Sequence, residues 1–559
     1  MRATGFAPSL LALSIALATA AGSRPALAAD AGPIDPAALS ATVRTLASDA
    51  FEGRAPGTAG ETKTVDYLIA RFKAAGLEPG GVDGGWTQPV PLVRTKVGTP
   101  RLLDVAYGGR HHALVQMKDI YVNTVRPVER VAIEDAPMVF VGYGVTAPER
   151  GWDDFKGVDL KGKVAVFLVN DPDFEAKPGE PAAGRFGGKA MTFYGRWVYK
   201  YEEAARRGAV AALIVHDTPG AGYGWSTVTA AGGEDYDIVR DGPDQPVLLQ
   251  GWIAGDAAVD LFRRAGLDLA SLRVRARSPD FRPVTLGNAL FSADIPVTSQ
   301  RIESRNVIAK LTGAKRPDEA VMFGAHWDAY GIGVPDAGGR VVRPGANDDG
   351  LGIAGLLELA RAFAAGPRPD RTLVFAAWTA EERGLLGSQT YALRPLYPLA
   401  RTAANFTIDI LETAGPARDV ILVGPGQSSL EDDLAAAARA QGRVVTPESL
   451  PERGLFYRAD HFPLARAGVP VLLQMGIAGP YDLVAGGRAA GEKWLAGYMA
   501  CYHQTCDTWS PDWNLDGAAQ DVALIYTIGN DLARSTRWPA WRATSEFRAV
   551  RERTADERR

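Results

Sequence analysis

Five short segments in the second half of the chain carry side chains that bind metals or move protons in enzymes. Their donor atoms are imidazole nitrogens and carboxylate oxygens rather than thiolates. This donor set suits catalytic zinc, which keeps open coordination positions. The segments are His326-Trp327-Asp328, Gly345 to Gly350, Glu381-Glu382, Asn405 to Asp409, and Cys501 to Cys506, which contains Tyr502 and His503.

The segment Gly345 to Gly350 contains two adjacent aspartates, Asp348 and Asp349, just before a helix predicted from Ile353. Asp is a common N-cap residue, and one carboxylate is enough to cap a helix. The second carboxylate is then free to bridge a pair of cations. A shared carboxylate indicates two metal ions roughly 3.5 to 4 Å apart.

Glu381 and Glu382 follow a hydrophobic run that ends at Trp378. Unpaired carboxylates at the end of a buried strand lose hydration, which costs several kcal/mol, and nearby cations offset that cost. The pattern therefore predicts that one glutamate binds metal while its neighbour takes the proton of an attacking water.

The remaining candidates are weaker when each is considered alone. Asp328 lies two residues after His326, a spacing that lets a carboxylate orient a metal-binding imidazole. A solvated His beside an Asp is nevertheless common, and a lone His such as His503 is more often structural than ligating. Asp409 is a single carboxylate at the end of an apolar run. Only the combination of all five segments predicts a metal site.

The elements that must position these side chains belong to an α/β fold with a mostly parallel mixed sheet flanked by helices. Short apolar strands alternate with longer helical stretches from Arg305 onward. Ligands collect at the carboxyl ends of the strands in such sheets. The predicted strands are Asn306 to Leu311, Ala320 to Phe323, Thr372 to Trp378, Asn405 to Ile410, Val420 to Val423 and Val469 to Gln474. The predicted helices are Ile353 to Ala365, Leu385 to Leu393, Leu430 to Ala440 and Ala518 to Arg534.

The N-terminus has the pattern of a secretory signal. Arg2 is followed by the apolar run Leu10 to Ala21, and Ala26-Leu27-Ala28 fits a cleavage site. No later stretch reaches the roughly 18 uninterrupted apolar residues that a membrane span needs. We therefore expect an exported protein, periplasmic or secreted, without a membrane span.

Overall composition narrows the class of protein. The 559 residues are 46% hydrophobic and 23% charged, which fits a globular protein of roughly two or three domains. The net charge of −4 provides no basic surface for nucleic acid, so a nucleic-acid partner is not expected. Cys501 and Cys506 are the only two cysteines. After export they are expected to form a disulfide, the alternative being two buried free thiols.

In this order and spacing, the five segments resemble the secreted bacterial two-zinc aminopeptidases. Their relatives include glutamate carboxypeptidase and the catalytically silent transferrin receptor. The resemblance covers Ser304 to about Arg534 and implies a zinc exopeptidase fold that acts on peptides. The loop Cys501 to Cys506 also resembles a disulfide-braced loop of some secreted members.

The resemblance implies two zinc ions as cofactors and assigns their ligands. Asp348 would bridge both ions. His326 and Asp409 would complete one zinc site, and Glu382 and His503 would complete the other.

The resemblance also implies catalytic roles. Glu381 would be the general base, Tyr502 would help to polarise the scissile carbonyl, and Asp328 would orient His326. The segment Arg458-Ala459-Asp460-His461 resembles a substrate-side loop, although Ala459 replaces the more usual Ser. A solvent-facing loop is the alternative for this segment.

Three segments between residues 139 and 216 resemble the protease-associated domain that often interrupts this fold. The expected organisation is a signal peptide at 1–28, the N-terminal part of the peptidase domain at 29–125, and a strand-rich insert at 126–290. The catalytic domain would occupy 291–540 and a flexible tail 541–559. By family analogy, the insert would cover the active site and restrict the peptide substrates. The sequence indicates no oligomeric state.

Several other classes are excluded or remain open. Gly142 to Ala147 fits a dinucleotide fingerprint, but Pro148 prevents the helix that would receive the pyrophosphate. The chain has neither a Gly-x-Ser-x-Gly motif nor a His-Glu-x-x-His motif. The open alternatives are a glutamate carboxypeptidase-like peptidase and a non-catalytic binding protein on the same scaffold. A one-zinc glutaminyl cyclase is disfavoured by the full set of five ligands.

Overall fold

The structure is a computed structural model that describes Met1 and residues 34–558. The predicted signal peptide, residues 1–28, lies outside the described residues except for Met1. Within residues 34–558, no helix is both long and apolar enough to cross a membrane.

The main sheet is mixed, and its central strands are parallel. Four neighbouring strands run parallel to one another, and the next three pair antiparallel. From Ala320 to His326 every residue is buried, as expected for a central parallel strand covered on both faces. In sheet order, the strands are Val471–Met475, Thr402–Asp409, Arg316–His326, Arg371–Trp378, Val284–Leu311, Thr87–Val97 and Glu234–Ile238. The short strand Glu78–Pro79 also pairs with Val284–Leu311.

Helices cover both faces of the main sheet. Phe323 stacks between Phe375 and Phe406 of the adjacent strands, with ring centroids 5.4 and 5.5 Å away, and this face shares a core with several helices. On the opposite face, Met322 packs in a cluster with Tyr391 and other apolar side chains. The helices of the first face are Pro36–Leu46, Ala59–Ala74, Gly352–Ala365, Leu430–Ala440 and Asp516–Arg534. The helices of the second face are Leu386–Leu393 and His461–Arg466.

A second sheet is built mainly from residues 102–296. Its inner strands Arg130–Phe140, Val164–Leu168, Ala211–Val215 and Leu249–Ile253 run parallel to their neighbours in this order. The strand Val284–Leu311 also contributes its first half to this sheet and its second half to the main sheet. Leu102–Tyr107 pairs with Val284–Leu311 on one side and with Arg110–Ala113 on the other, and the edge strands are Arg110–Ala113 and Ile120–Asn123. The helices of this region are Trp197–Arg206, Thr218–Ala221, Trp225–Thr229, Gly255–Arg264 and Leu269–Arg275.

The remaining elements are short or peripheral. Three two-stranded pairs lie outside the two large sheets. These pairs are Thr146–Ala147 with Trp152–Asp153, Gly331–Ile332 with Val342–Arg343, and Asp419–Leu422 with Val444–Pro447. The peripheral helices are Gly487–Met499 and Arg548–Glu552.

The α/β fold with a mostly parallel central sheet agrees with the prediction from sequence. The boundaries that we expected between the peptidase domain and the insert do not coincide with the division between the two sheets. Strands in residues 102–123, expected in the N-terminal part of the peptidase domain, pair within the second sheet instead. The strand Glu234–Ile238, expected within the insert, pairs with Thr87–Val97 of the main sheet. Pairing between distant strands depends on tertiary contacts that local apolar patterns do not encode.

The expected flexible tail at 541–559 is corrected by the structure. Trp541 and Phe547 are buried in an apolar cluster. The Arg551 guanidinium is also buried and donates hydrogen bonds to the carbonyls of Leu399, Ala400 and Thr402. The high arginine content suggested a solvated end, but these arginines satisfy exposed carbonyls at the start of the strand Thr402–Asp409.

Candidate metal centre

The predicted site residues gather at the carboxyl end of the central parallel strands. His326 and Asp409 are the last residues of their strands, and Glu381 lies three residues after the strand that ends at Trp378. In the sheet register, His326 lies opposite Trp378. Parallel strands therefore bring these three side chains to one edge of the sheet.

Two groups of potential metal ligands share Asp348. One group contains His326, Asp348 and Asp409, and the other contains Asp348, Glu382 and His503. Within each group, the ligand atoms lie within 4.8 Å of one another. All five residues predicted as metal ligands therefore meet in one place.

The two carboxylate oxygens of Asp348 face different imidazoles. Oδ1 lies 3.1 Å from Nε2 of His326, and Oδ2 lies 3.1 Å from Nε2 of His503. His503 Nε2 is also 3.3 Å from Oε2 of Glu382, and His326 Nε2 is 3.9 Å from Oδ1 of Asp409. This geometry fits a bridging carboxylate between two neighbouring cations.

The burial of this cluster supports cation binding. Burial raises the pKa of Glu382 well above its ordinary value, and nearby Asp348 raises it further. Burial also raises the pKa of Asp409. Such carboxylates remain ionised only when cations compensate for their lost hydration. Nε2 of His326 is buried and has no aligned hydrogen-bond partner among residues 34–558, so this nitrogen is positioned to exchange its proton for a metal. Two imidazoles and three carboxylates without thiolate fit zinc.

The protein groups already favour the ionised form of Asp348. Although burial opposes ionisation, His326 and His503 hold the pKa of Asp348 below its ordinary value. In the same way, burial alone would lower the pKa of His326, but Glu381 and the other surrounding carboxylates raise it well above its ordinary value. The protonation state of each residue in this cluster therefore depends on the charges of the others.

Glu381 belongs to neither ligand group but lies beside both. Its Oε2 is 3.9 Å from Nε2 of His326, and its side chain is 11% exposed. Its backbone N–H donates to Oδ1 of Asp328 at 3.0 Å. Glu381 is thus a carboxylate next to the cluster that is not needed as a ligand.

Asp328 contacts His326 mainly through its backbone. His326 Nδ1 lies 3.2 Å from the Asp328 carbonyl oxygen and 3.7 Å from the carboxylate Oδ1. With a metal on Nε2, Nδ1 would carry the proton and donate a hydrogen bond to this carbonyl. The Asp328 carboxylate instead holds the backbone of Glu381, so Asp328 connects the ends of two strands.

The disulfide loop positions His503 and Tyr502. The structure confirms the predicted bond between Cys501 and Cys506, with sulfur atoms 2.06 Å apart. Nδ1 of His503 lies 2.9 Å from the Tyr330 hydroxyl, which could accept a hydrogen bond from Nδ1–H with a metal on Nε2. Tyr502 packs on the His503 ring, and burial raises the pKa of its phenol well above the ordinary value. Its hydroxyl therefore stays protonated and can donate a hydrogen bond.

Asp349 and Asp507 support the centre and were not assigned roles from sequence. Asp349 caps the helix Gly352–Ala365 by accepting from Gly352 N, and it also accepts from the backbone N–H groups of His326 and Ile410. Asp507 accepts from Asn347 N at 3.0 Å and from Asp348 N at 3.1 Å. Burial raises the pKa of Asp507 to about 7. One of the two adjacent aspartates, Asp349, thus holds the backbone at the start of the helix, and the other, Asp348, faces the two imidazoles.

Arg54 reaches the centre from the N-terminal part of the chain. It is fully buried, and its Nε donates to the carbonyl of Trp327 at 2.7 Å. Its two terminal nitrogens donate to the carbonyls of Pro344 and Gly345, at 2.6 and 2.8 Å, and to Leu46 at 3.0 Å. Arg54 therefore fixes the backbone beside His326 and the turn that leads to Asp348. Nothing in the local sequence around Arg54 indicates this distant contact.

Comparisons with known proteins identify related sequences and structures. Residues 306–527 match the model of Peptidase family M28. Leupeptin-inactivating enzyme 1 of Streptomyces exfoliatus is 30% identical over 241 residues, which are 42% of this chain and 50% of that protein. A probable lipoprotein aminopeptidase LpqL of Mycobacterium tuberculosis is 33% identical over 156 residues, 28% of this chain and 27% of that protein. The chain thus spans half or less of the length of these curated relatives. An aminopeptidase from Aneurinibacillus sp. strain AM-1 is 21% identical, with 90% of this chain and 95% of that chain covered and a TM-score of 0.48.

Proposed function

Because residues 306–527 match the model of Peptidase family M28, we propose that this chain is a zinc-dependent exopeptidase that hydrolyses the N-terminal peptide bond of peptides. One observation carries the proposal. Two ligand groups share Asp348, and the carboxylate of Glu381 beside them is left free for proton transfer. A metal-dependent peptidase uses both of these parts.

The proposed centre holds two zinc ions. Asp348 would bridge them, His326 and Asp409 would complete one site, and Glu382 and His503 would complete the other. Zinc bound here would polarise the scissile carbonyl and lower the pKa of the attacking water. This assignment is supported by the burial of the carboxylates, which need compensating charge.

Glu381 is the proposed general base and acid. Its carboxylate would take a proton from the attacking water and then deliver that proton to the nitrogen of the leaving amine. The hydrogen bond from its backbone N–H to Asp328 keeps it beside the cluster. Since its side chain is only 11% exposed, bulk water competes little for the proton.

Tyr502 is the proposed hydrogen-bond donor to the scissile carbonyl. Its phenol stays protonated because burial raises its pKa, and a donor aimed at developing negative charge stabilises the transition state. Asp328 is the proposed positioning residue for both His326 and Glu381, since it contacts each of them.

The strand-rich insert is the proposed protease-associated domain that limits access to the centre. Its segment Met191 to Glu202 packs against residues 451–466, next to the predicted substrate-side loop. We also propose that the protein is exported. Both its N-terminal sequence pattern and its disulfide are typical of exported proteins.

The decisive experiment combines metal analysis with a chelator-sensitive peptidase assay on the purified protein. We expect about two zinc ions per chain and hydrolysis of leucine p-nitroanilide that stops on chelation and returns with zinc. Acetylation of the substrate's N-terminus should abolish turnover. Activity on N-blocked peptides with a C-terminal glutamate would instead support a carboxypeptidase.

Two further outcomes would contradict the proposal. Protein without bound zinc and without turnover would support a binding protein on the same scaffold. One zinc ion per chain together with cyclisation of N-terminal glutamine would support a glutaminyl cyclase.

A further inference from the structure

Two arginines without acidic partners meet where the insert packs beside the metal centre. Arg196 immediately precedes the helix Trp197–Arg206, and Arg458 follows the short turn Leu455–Tyr457. Arg196 is only 7% exposed. Neither guanidinium makes a hydrogen bond or ion pair with any residue in the described part of the chain. Burial lowers the pKa of Arg196 to about 10, and the nearby charge of Arg458 contributes to this shift.

This pair of arginines lies next to the proposed reaction site. The Arg458 guanidinium is close enough to Tyr502, Glu381 and Asp409 to interact with them electrostatically. The phenol of Tyr223, from the insert, is close enough to both guanidiniums for their charges to favour its ionised form. Two cations and one hydroxyl donor, contributed by two parts of the chain, are thus grouped beside the site.

The contact between the two parts of the chain holds Arg196 in place. Met191 N donates to the carbonyl of Pro451 at 3.1 Å, and the rings of Phe193 and Phe462 are 5.0 Å apart. The Arg196 side chain also packs on Gly454, where an added Cβ would lie 3.4 Å from Arg196 Cδ. The arrangement is therefore built into the packing rather than formed by free surface side chains.

Other buried arginines in this protein have partners, which makes this pair unusual. Arg443 contacts Asp521 at 2.6 Å, Arg371 contacts Glu319 at 2.6 Å, and Arg54 donates to four carbonyls. A buried cation without a partner costs several kcal/mol. Such local instability is typical of sites that bind a ligand of opposite charge.

We propose that Arg196, Arg458 and Tyr223 form a carboxylate-binding subsite for the leaving-group side of short peptide substrates. The inference rests on the proposed exopeptidase function and adds a substrate class to it. Guanidinium groups bind carboxylates through charge-assisted hydrogen bonds. The candidate carboxylates are the C-terminus of a di- or tripeptide and an acidic side chain just after the cleaved bond.

The test compares kcat/KM of the zinc-loaded protein for three substrates: Leu-Gly, Leu-Gly-amide and Leu-Glu-amide. If the C-terminal carboxylate is bound, Leu-Gly should exceed Leu-Gly-amide by roughly 10- to 100-fold, the value of one or two charge-assisted hydrogen bonds. If an acidic side chain is bound, Leu-Glu-amide should have the advantage instead. The preference should lie mainly in KM.

Arg196→Met and Arg458→Met should each bring the ratio of kcat/KM between the substrates with and without the carboxylate closer to one. Arg466→Met is the matched control, because Arg466 lies at the same contact but is paired with Glu202 through two hydrogen bonds of 2.8 Å. The Arg466→Met variant should have a lower unfolding temperature and keep the wild-type preference for the substrate with the carboxylate. Arg196→Met should keep or raise the unfolding temperature, since it removes an unpaired buried charge, whereas a purely structural arginine would lower it.

The outcomes separate this inference from the proposed function. Hydrolysis of leucine p-nitroanilide without any carboxylate preference would overturn the subsite and leave the exopeptidase function intact. A preference that survives in both arginine variants would also overturn it. If no substrate is hydrolysed, calorimetric titration of the Glu381→Ala variant with Leu-Gly and Leu-Gly-amide decides, and equal Kd values would refute the subsite.

Discussion

Replacing Arg54 by methionine should weaken zinc binding although Arg54 is not a ligand. The substitution keeps most of the side-chain volume and removes the four hydrogen bonds to the carbonyls of Trp327, Leu46, Pro344 and Gly345. Two of these bonds hold the turn before Asp348, and another holds the carbonyl next to His326. The perturbation therefore acts on the backbone that carries two proposed ligands.

The structure sets the expected magnitude. Each hydrogen bond from a charged group contributes about 1.5 to 3 kcal/mol, but the contributions do not add fully because removing the cation also removes its desolvation cost. Loss of a buried charged partner typically costs about 3 to 5 kcal/mol. We expect this loss in the free energy of unfolding of the metal-free protein. Mutation of a residue that holds metal ligands in place typically reduces metal affinity by about 10- to 100-fold, and we expect a reduction of this size in the zinc affinity of Arg54→Met.

Two measurements check this prediction. Urea unfolding of the metal-free protein, followed by tryptophan fluorescence, gives the change in stability. Competition with a chromogenic chelator gives the zinc affinity. Arg44→Met is the control, because Arg44 is exposed on the nearby helix Pro36–Leu46 and should leave both quantities within about 1 kcal/mol of wild type.

The results discriminate between roles for Arg54. Lower stability with unchanged zinc affinity would show that Arg54 only stabilises the fold. Wild-type values for both would refute the reasoning, because four donations from a buried guanidinium would then have no measurable consequence.

The remaining predictions concern the base, the bridge and a buried acid. Glu381→Ala should keep both zinc ions and lower kcat by roughly a hundredfold or more, as expected for loss of a general base. Metal analysis and steady-state kinetics on the same preparation check this prediction. A kcat equal to that of the wild type would rule out Glu381 as the general base. Asp348→Ala should lose bound zinc and stability, because the remaining carboxylates repel one another; full zinc occupancy would contradict a bridge. Burial raises the pKa of Asp154 to about 7, so the folded state holds this proton more tightly than the unfolded state does. Its stabilising contribution is therefore present at low pH and lost as the pH rises through 7. Compared with Asp154→Asn, the metal-free wild type should lose about 2 to 3 kcal/mol more stability between pH 5 and pH 8 in urea unfolding, and parallel profiles would contradict the buried-acid assignment.

Most of the main sheet could be predicted from local patterns. The helix Leu430–Ala440 begins and ends as predicted, and the strand before Glu381 ends at Trp378 as predicted. The strand that carries His326 ends at His326 rather than at Phe323, and the strand that carries Asp409 ends at Asp409 rather than at Ile410. These strands are buried on both faces, so they appear in the sequence as continuous apolar runs followed by polar residues. Ligands at strand ends are therefore recognisable without any tertiary information.

The supporting groups could not be predicted in this way. Arg54 contacts carbonyls up to 291 residues away, and Asp507 accepts from a backbone N–H 160 residues away. A single charged residue within a turn has no periodicity that reveals such a partner. The unpaired state of Arg196 is likewise visible only when the packing of the insert is known. Long-range polar contacts were the part of the site that required the structure.

The strand Val284–Leu311 is 28 residues long and belongs to both sheets. Bending it between its two halves would break its pairing in both sheets, so this connection resists a hinge motion of the insert. Movements of loops and side chains would then control access to the reaction site. The width of its opening would be fixed by the folded arrangement of the two sheets. New substrate preferences in this fold would arise from substitutions at the contact between the insert and the catalytic domain, around Arg196 and Gly454. The relative orientation of the two domains would stay the same.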